Sequence, residues 1–214
     1  MKKIYLLAIP IVIGLLTGIF LAFFPNSEDN SKTLTQSKLI QNGSPVMGDP
    51  SASITILEWG DYQCTYCYKF HTNTLNTIKH DLIETGKVKL VFKDFPLNGP
   101  DSILAAEAAY CAQDQEKYWQ YHDELYKNWA GERTGWVTHE SLDKFATTIN
   151  LDLGKFNECL DNHKYAERVN QMYEFGKKIG IDATPSFLVF NNEKIIKITG
   201  NQPMEVFLKS LNEL

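Results

Sequence analysis

The sequence predicts an α/β domain with a mixed sheet, helices on both faces and a block of helices inserted into it. Three observations carry that prediction. Two short strand-like runs flank one helical stretch between residues 53 and 95, a long region of helical periodicity follows from Pro100, and two further short apolar runs meet at Asn191-Asn192 near the end of the chain.

Ser53 to Trp59 is short and rich in β-branched and aromatic residues, which suits a buried strand ending at Gly60-Asp61. A helix then starts near Cys64. Cys67, Phe70, Leu75, Ile78 and Leu82 mark its apolar face, and Gly86 is a natural stop. Val88 to Phe95 is the next strand, closed by Pro96. A strand, helix and strand in this order imply parallel pairing through a right-handed crossover.

From Pro100 to about Ile179 the signals are helical, interrupted by the loop Gly131-Glu132-Arg133-Thr134-Gly135. Ser186 to Phe190 and Lys194 to Ile198 read as a hairpin, which adds antiparallel strands to the sheet. A last helix follows Pro203, a residue tolerated in a first helical turn.

Ahead of the domain, Ile4 to Phe24 carries no charge and follows Lys2 and Lys3. At about 1.5 Å per residue it matches the hydrocarbon core of a bilayer. With the basic pair before it and Glu28 and Asp29 after it, residues 1–24 are expected to be a single transmembrane anchor with the catalytic domain on the extracytoplasmic side. A cleavable signal peptide is the competing reading, but Leu21-Ala22-Phe23-Phe24-Pro25 offers no small-x-small site. Residues 25–45 are polar and read as a tether, leaving 46–214 as the domain and about 100–165 as its helical insertion.

Composition removes one function class. At 43% hydrophobic and 22% charged residues the chain is an ordinary globular one, and a net charge of −5 with scattered Lys and Arg lacks the basic footprint of a nucleic-acid binder. No phosphate-binding Gly-rich loop is present.

The chemistry concentrates at Cys64-Thr65-Tyr66-Cys67. A Cys-x-x-Cys pair directly after a strand and at the start of a helix reads as redox-active. Unpaired N–H groups at the helix start favour a thiolate at Cys64, with Cys67 one turn on and more buried. The rival is structural zinc recruiting Cys64, Cys67, His71 and His80, but His80 lies more than two helical turns beyond Cys67. No metal or other cofactor is expected.

Four segments make a resemblance specific. Glu58 through Cys67, Val88 through Leu97, Tyr118-Trp119-Gln120-Tyr121-His122-Asp123, and Ala183-Thr184-Pro185-Ser186-Phe187 are together similar to the DsbA-like family. The resemblance covers about 44–214 and implies a thioredoxin-like fold and thiol–disulfide exchange on exported proteins. It implies that Pro185 is cis beside the cysteines and that Thr184 offers backbone hydrogen bonds to a bound peptide, with Thr65 and Tyr66 lining the same surface. A trans proline opening a strand is the plain alternative.

It also implies a buried acid at Glu58. Ile54, Ile56 and Glu58 share one face of their strand, so proton exchange with Cys67 is a reasonable role, against a solvated acid at a strand end. Lys93, from the next strand, is a candidate partner for that carboxylate. Cys111 and Cys159, in the helical block, are expected to form a structural disulfide, or else to be two buried thiols. Thr65 stands where the family often has proline, and the dipeptide between the cysteines tunes the direction of electron flow.

The expected function is therefore an extracytoplasmic oxidase that introduces disulfides into thiol-containing exported polypeptides and is reoxidised by a quinone-linked membrane partner. A reductase or isomerase using the same pair, and a membrane-tethered peptide-binding chaperone without redox turnover, are the alternatives.

Overall fold

The computed structural model describes residues 35–214, so the expected anchor at 1–24 and the first part of the tether lie outside the described residues. Among the described residues, no helix is long and apolar enough to cross a membrane.

The stretch read as a tether is ordered in its last part. Gln36–Ile40 form a short helix, α1, whose Leu39 is fully buried against the domain. One leucine with Ile40 and Val46 beside it is enough apolar surface to seat this turn, which composition averaged over 25–45 concealed. Ser44 and Met47 then run along the outer edge of the sheet, bonding to Phe92 and Leu90.

Four strands form the sheet: β1 (Ile54–Gly60), β2 (Val88–Asp94), β3 (Ser186–Phe190) and β4 (Ile195–Thr199), in the order β2-β1-β3-β4. β1 pairs with β2 in parallel, while β1–β3 and β3–β4 are antiparallel. At the β3–β4 turn, Asn191 Oδ1 accepts the N–H groups of Glu193 and Lys194 at 2.8 and 2.9 Å.

Between β1 and β2 the chain is helical from α2 (Thr65–Lys69) through α3 (Asn76–Ile78). One π-helical stretch, Phe70–Leu75, joins these two, and a second, Lys79–Ile83, continues the helix after α3. Gly86, at φ 72°, ends the run in a conformation that favours glycine.

Alternation along the strands divides the core. Ile56, Leu90, Phe187 and Val189 meet Phe70, Leu75, Ile78 and the last helix, α9 (Met204–Asn212), through Phe207. Pro203 stands just ahead of α9 as its cap residue. Leu57, Trp59, Val91, Leu188 and Phe190 face the other way, against α8 (Ala166–Lys178) and α1. Truncating a fully buried ring such as Phe187 or Phe207 would cost about 3–5 kcal/mol.

The insertion consists of α4 (Pro100–Gln113), α5 (Tyr118–Lys127), α6 (His139–Thr148) and α7 (Leu153–Asp161). α4 is its centre. Ala105, Ala106, Ala108, Ala109 and Ala112 are all buried, and such small side chains let neighbouring helices approach it from several sides. Cys111 of α4 and Cys159 of α7 are joined by a disulfide with an S–S distance of 2.01 Å.

Candidate active site

The C-terminal end of β1 and the start of α2 bring the Cys-x-x-Cys pair to the edge of the sheet. Cys64 is the cap residue of α2, extended at φ −67° and ψ 125°, and the Tyr68 N–H donates to its carbonyl at 3.0 Å. Cys67 sits within the first turn and is fully buried, whereas Cys64 retains 6% exposure. Both thiols are free.

Their surroundings separate the two sulfurs. The Cys64 thiol is lowered to about 6, first by hydrogen bonding to Cys67 and then, against desolvation, by the side chain of Thr184 and the backbone at Cys67 and Tyr66. Burial pushes the Cys67 thiol well above the ordinary range, reinforced by the Cys64 sulfur and by Glu58. Cys64 is therefore largely ionised at neutral pH, and Cys67 holds its proton.

The Thr184–Pro185 peptide is cis, and while Cys64 is protonated its Sγ–H donates to the Thr184 carbonyl at 3.4 Å. Pro185 is buried next to β3, while Thr65 and Thr184 are half-buried and Tyr66 is 59% exposed. Cys64, slightly exposed where Cys67 is not, is thus flanked by Thr65, Tyr66 and Thr184, an arrangement able to hold an extended peptide beside it.

Glu58 lies beneath the pair on β1 and is 2% exposed. Desolvation, and then the charge of Cys64, raise its carboxyl to about 8, with Lys79 acting in the opposite sense. It is a buried acid near Cys67 rather than a solvated one at a strand end. Gly60 makes room there, since a Cβ at that position would stand 2.4 Å from the Phe92 ring and 3.4 Å from Glu58 Oε1.

Lys93 is not the partner of Glu58. The parallel register sets Glu58 beside Phe92 and Trp59 beside Lys93, so the lysine leaves the opposite face of the sheet. There its ammonium lies 4.5 Å from the Phe175 ring centre and 5.8 Å from that of Trp59. Nor do the histidines weighed as zinc ligands join the cysteines. His80 is exposed and bonds to Asp81 at 2.6 Å, and among the described residues the grouping of three possible donors is His71, His122 and Asp123. Lys79 already binds both oxygens of Asp123, at 3.0 and 3.1 Å.

Three residues of the site were not singled out from sequence. Asp61, 2% exposed, accepts the N–H groups of Gln63, Leu97 and Asn98, and so ties the active-site turn to the segment after β2. Gln63, fully buried, bonds to Ser102 and to the backbone at Arg133. Glu132, from the 131–135 loop, accepts the Thr65 N–H at 2.7 Å. Asp61 and Gln63 carry the signal of polar residues beside a reactive cysteine, but Glu132 lies 67 residues away in sequence and carries none.

The family described as Thioredoxin matches residues 41–212. The chain is 32% identical over 158 residues to disulfide bond formation protein D of Bacillus subtilis, covering 72% of this chain and 70% of that one. Among solved structures it is similar to oxidised BdbD of B. subtilis, with TM-score 0.71, 27% identity, and 81% of this chain and 93% of that chain covered. It is also similar to alpha-DsbA1 of Wolbachia pipientis, with TM-score 0.71, 27% identity and coverages of 81% and 91%.

Proposed function

Because the chain belongs to the thioredoxin family, as one of its DsbA-like thiol–disulfide oxidoreductases, we propose that it acts as an oxidase that introduces disulfides into exported polypeptides. The observation that carries this direction is the asymmetry of the pair, a Cys64 thiol at about 6 beside a Cys67 thiol pushed well upward. A stabilised thiolate is a good leaving group, and it favours the reduced enzyme, so the Cys64–Cys67 disulfide is readily given away.

In the forward step a substrate thiolate attacks Cys64 Sγ, the S–S bond breaks, and the electron pair leaves on Cys67. Cys67 ends as a thiol, with Glu58 placed to supply the proton. A second substrate thiolate then attacks the substrate sulfur of the mixed disulfide and expels Cys64 as its thiolate. Two electrons have entered the enzyme, and the substrate holds a new disulfide. Regeneration needs a two-electron acceptor, for which we propose a quinone-linked membrane protein.

An extracytoplasmic site, with residues 1–24 as a membrane anchor, is supported by the uncharged run Ile4 to Phe24 behind Lys2 and Lys3. The Cys111–Cys159 bridge supports the same location, since such bonds persist in oxidising compartments.

Equilibration of the purified protein with glutathione buffers tests the direction. We expect a potential well above the thioredoxin value of about −270 mV. A potential at or below that value would replace the oxidase with a reductase or isomerase running the same atoms from the dithiol.

A further inference from the structure

The loop between α5 and α6 is tied to the active site at several points. Trp129 Nε1–H donates to the Gln63 carbonyl at 2.9 Å, and the Arg133 N–H donates to Gln63 Oε1 at 2.9 Å. The Arg133 guanidinium reaches the Leu97 carbonyl at 3.3 Å, and the Trp129 ring stacks on Tyr68 of α2 with centres 4.5 Å apart. Within the loop, Trp136 Nε1–H closes onto the Gly131 carbonyl at 3.0 Å. Gly131 and Arg133 adopt φ of 108° and 55°, conformations that turn the chain so that residue 132 faces α2.

The group presented there is a carboxylate. Thr65 follows Cys64 directly, and its N–H is one of the unpaired donors at the start of the helix. Glu132 Oε1 takes that donor at 2.7 Å. This contact exists only because residue 65 has an N–H, which a proline would lack. It places a fixed negative charge one residue from the sulfur that must itself become negative on reduction.

We propose that Glu132 is a positioning residue that restrains the oxidising power of the Cys64–Cys67 pair. In the disulfide state Cys64 is neutral, and the Glu132 carboxylate is an unopposed helix cap. When the pair is reduced, the Cys64 thiolate and the Glu132 carboxylate repel each other beside the same helix end. The charge therefore stabilises the disulfide relative to the reduced form, and its removal makes the enzyme a stronger oxidant. The other titratable groups acting at Cys64 are Cys67, Glu58 and Tyr126, all buried, whereas Glu132 is exposed and its effect is correspondingly modest. This inference rests on the thiol–disulfide function of the pair.

The test is Glu132→Gln, which keeps an acceptor for Thr65 and removes the charge, with Glu140→Gln, another exposed acid of the helical block, as the charge control. Ultraviolet titration of the reduced protein should show the Cys64 midpoint falling by about half a pH unit in Glu132→Gln. Near pH 7 the glutathione equilibrium constant should shift about threefold toward the reduced enzyme, about 14 mV. Glu140→Gln should move neither. In a Thr65→Pro background the Glu132→Gln shift should shrink by more than half, because nothing then holds the carboxylate at the helix. An unchanged or raised midpoint in Glu132→Gln, or an equal shift in Glu140→Gln, overturns the proposal, and so does a full-sized shift in the proline background. If Thr65→Pro does not fold, the comparison of Glu132→Gln with Glu140→Gln decides alone. These failures leave the oxidoreductase reading intact provided the parent protein still exchanges with glutathione; a parent whose cysteines do not exchange removes both.

Discussion

Lys93 stands beside Trp59 across β1 and β2 and faces away from Glu58, so these two buried charged residues occupy opposite faces of the sheet. Each is therefore desolvated without an ionic partner, and each moves toward its neutral form. Lys93 falls to about 8, chiefly by burial and then by the charge of Arg168.

A lysine depressed in the native state binds fewer protons there than in the unfolded chain between about pH 8 and its ordinary value near 10.5. Stability should rise with pH across that window, and the cost is fully present below it. Lys93→Met, similar in length and apolar, should raise stability at pH 7 by about 1–2 kcal/mol after allowing for the lost ring contacts. Denaturant melts of the oxidised protein measure it, and the glutathione equilibrium should not move. A large redox change in this variant would mean that Lys93 does communicate with Glu58.

Glu58 works in the opposite sense. Its native value of about 8 exceeds the unfolded value near 4.5, so the folded protein binds more protons between them and loses stability as pH rises through that range. In the reduced form, to which that value belongs, Glu58→Gln should gain about 2–4 kcal/mol over the parent at pH 8 and little at pH 4. The same substitution removes the proton donor proposed for Cys67 and should slow oxidation of a model dithiol peptide at neutral pH by roughly 10²-fold. Stopped-flow mixing reads the rate, and an unaltered rate would exclude Glu58 from proton transfer.

In the reduced protein Cys64 acts in the opposite sense to Glu58, since its native value of about 6 lies below the unfolded value near 9. Its contribution is complete above 9 and is lost as pH falls through 6, so the stability difference between reduced parent and Cys64→Ser should grow by about 2–4 kcal/mol from pH 6 to pH 9. A difference that stays constant with pH would remove the thiolate from Cys64. Alkylation of the parent should label Cys64 with a midpoint near 6 and leave Cys67 unlabelled in the folded state. Preferential labelling of Cys67 would reverse the roles assigned to the pair.

The bridge in the helical block is expected to carry stability rather than redox chemistry. Cys111 and Cys159 are 48 residues apart, and in the chain-entropy view a loop of that length restricts the unfolded state by about 4 kcal/mol. The double variant Cys111→Ala, Cys159→Ala should unfold at correspondingly lower denaturant while its Cys64–Cys67 equilibrium with glutathione is unchanged. A shift in that equilibrium would show the two pairs to be coupled.

The strands, the helix starting at the cysteines and the terminal hairpin were legible because each is a local pattern. Ser53 to Trp59 against Ile54–Gly60, and Lys194 to Ile198 against Ile195–Thr199, differ by a single residue. Cys64 and Cys67 were legible from spacing and context alone. What was not legible depends on pairing at a distance. The side on which Lys93 emerges follows from the register with Trp59, and Glu132 reaches Thr65 only once the helical block has folded over α2. The seating of Leu39 likewise belongs to the surface it meets rather than to the polar stretch around it.

The π-helical stretches have a consequence for how the chain tolerates change in length. Phe70 and Leu75 are both buried although they are five positions apart, a step too long for one α-helical turn, and the π stretch Phe70–Leu75 absorbs the surplus residue. Deleting one polar residue between them, such as exposed Asn73, would shorten the step to four and let an ordinary α-helix carry both side chains to the same core face. A codon could thus be lost at this point without turning the redox pair away from its sheet, whereas the same loss between Cys64 and Cys67 would destroy the couple. The stretch is a slack link in the gene, set directly behind the one place where no slack is allowed.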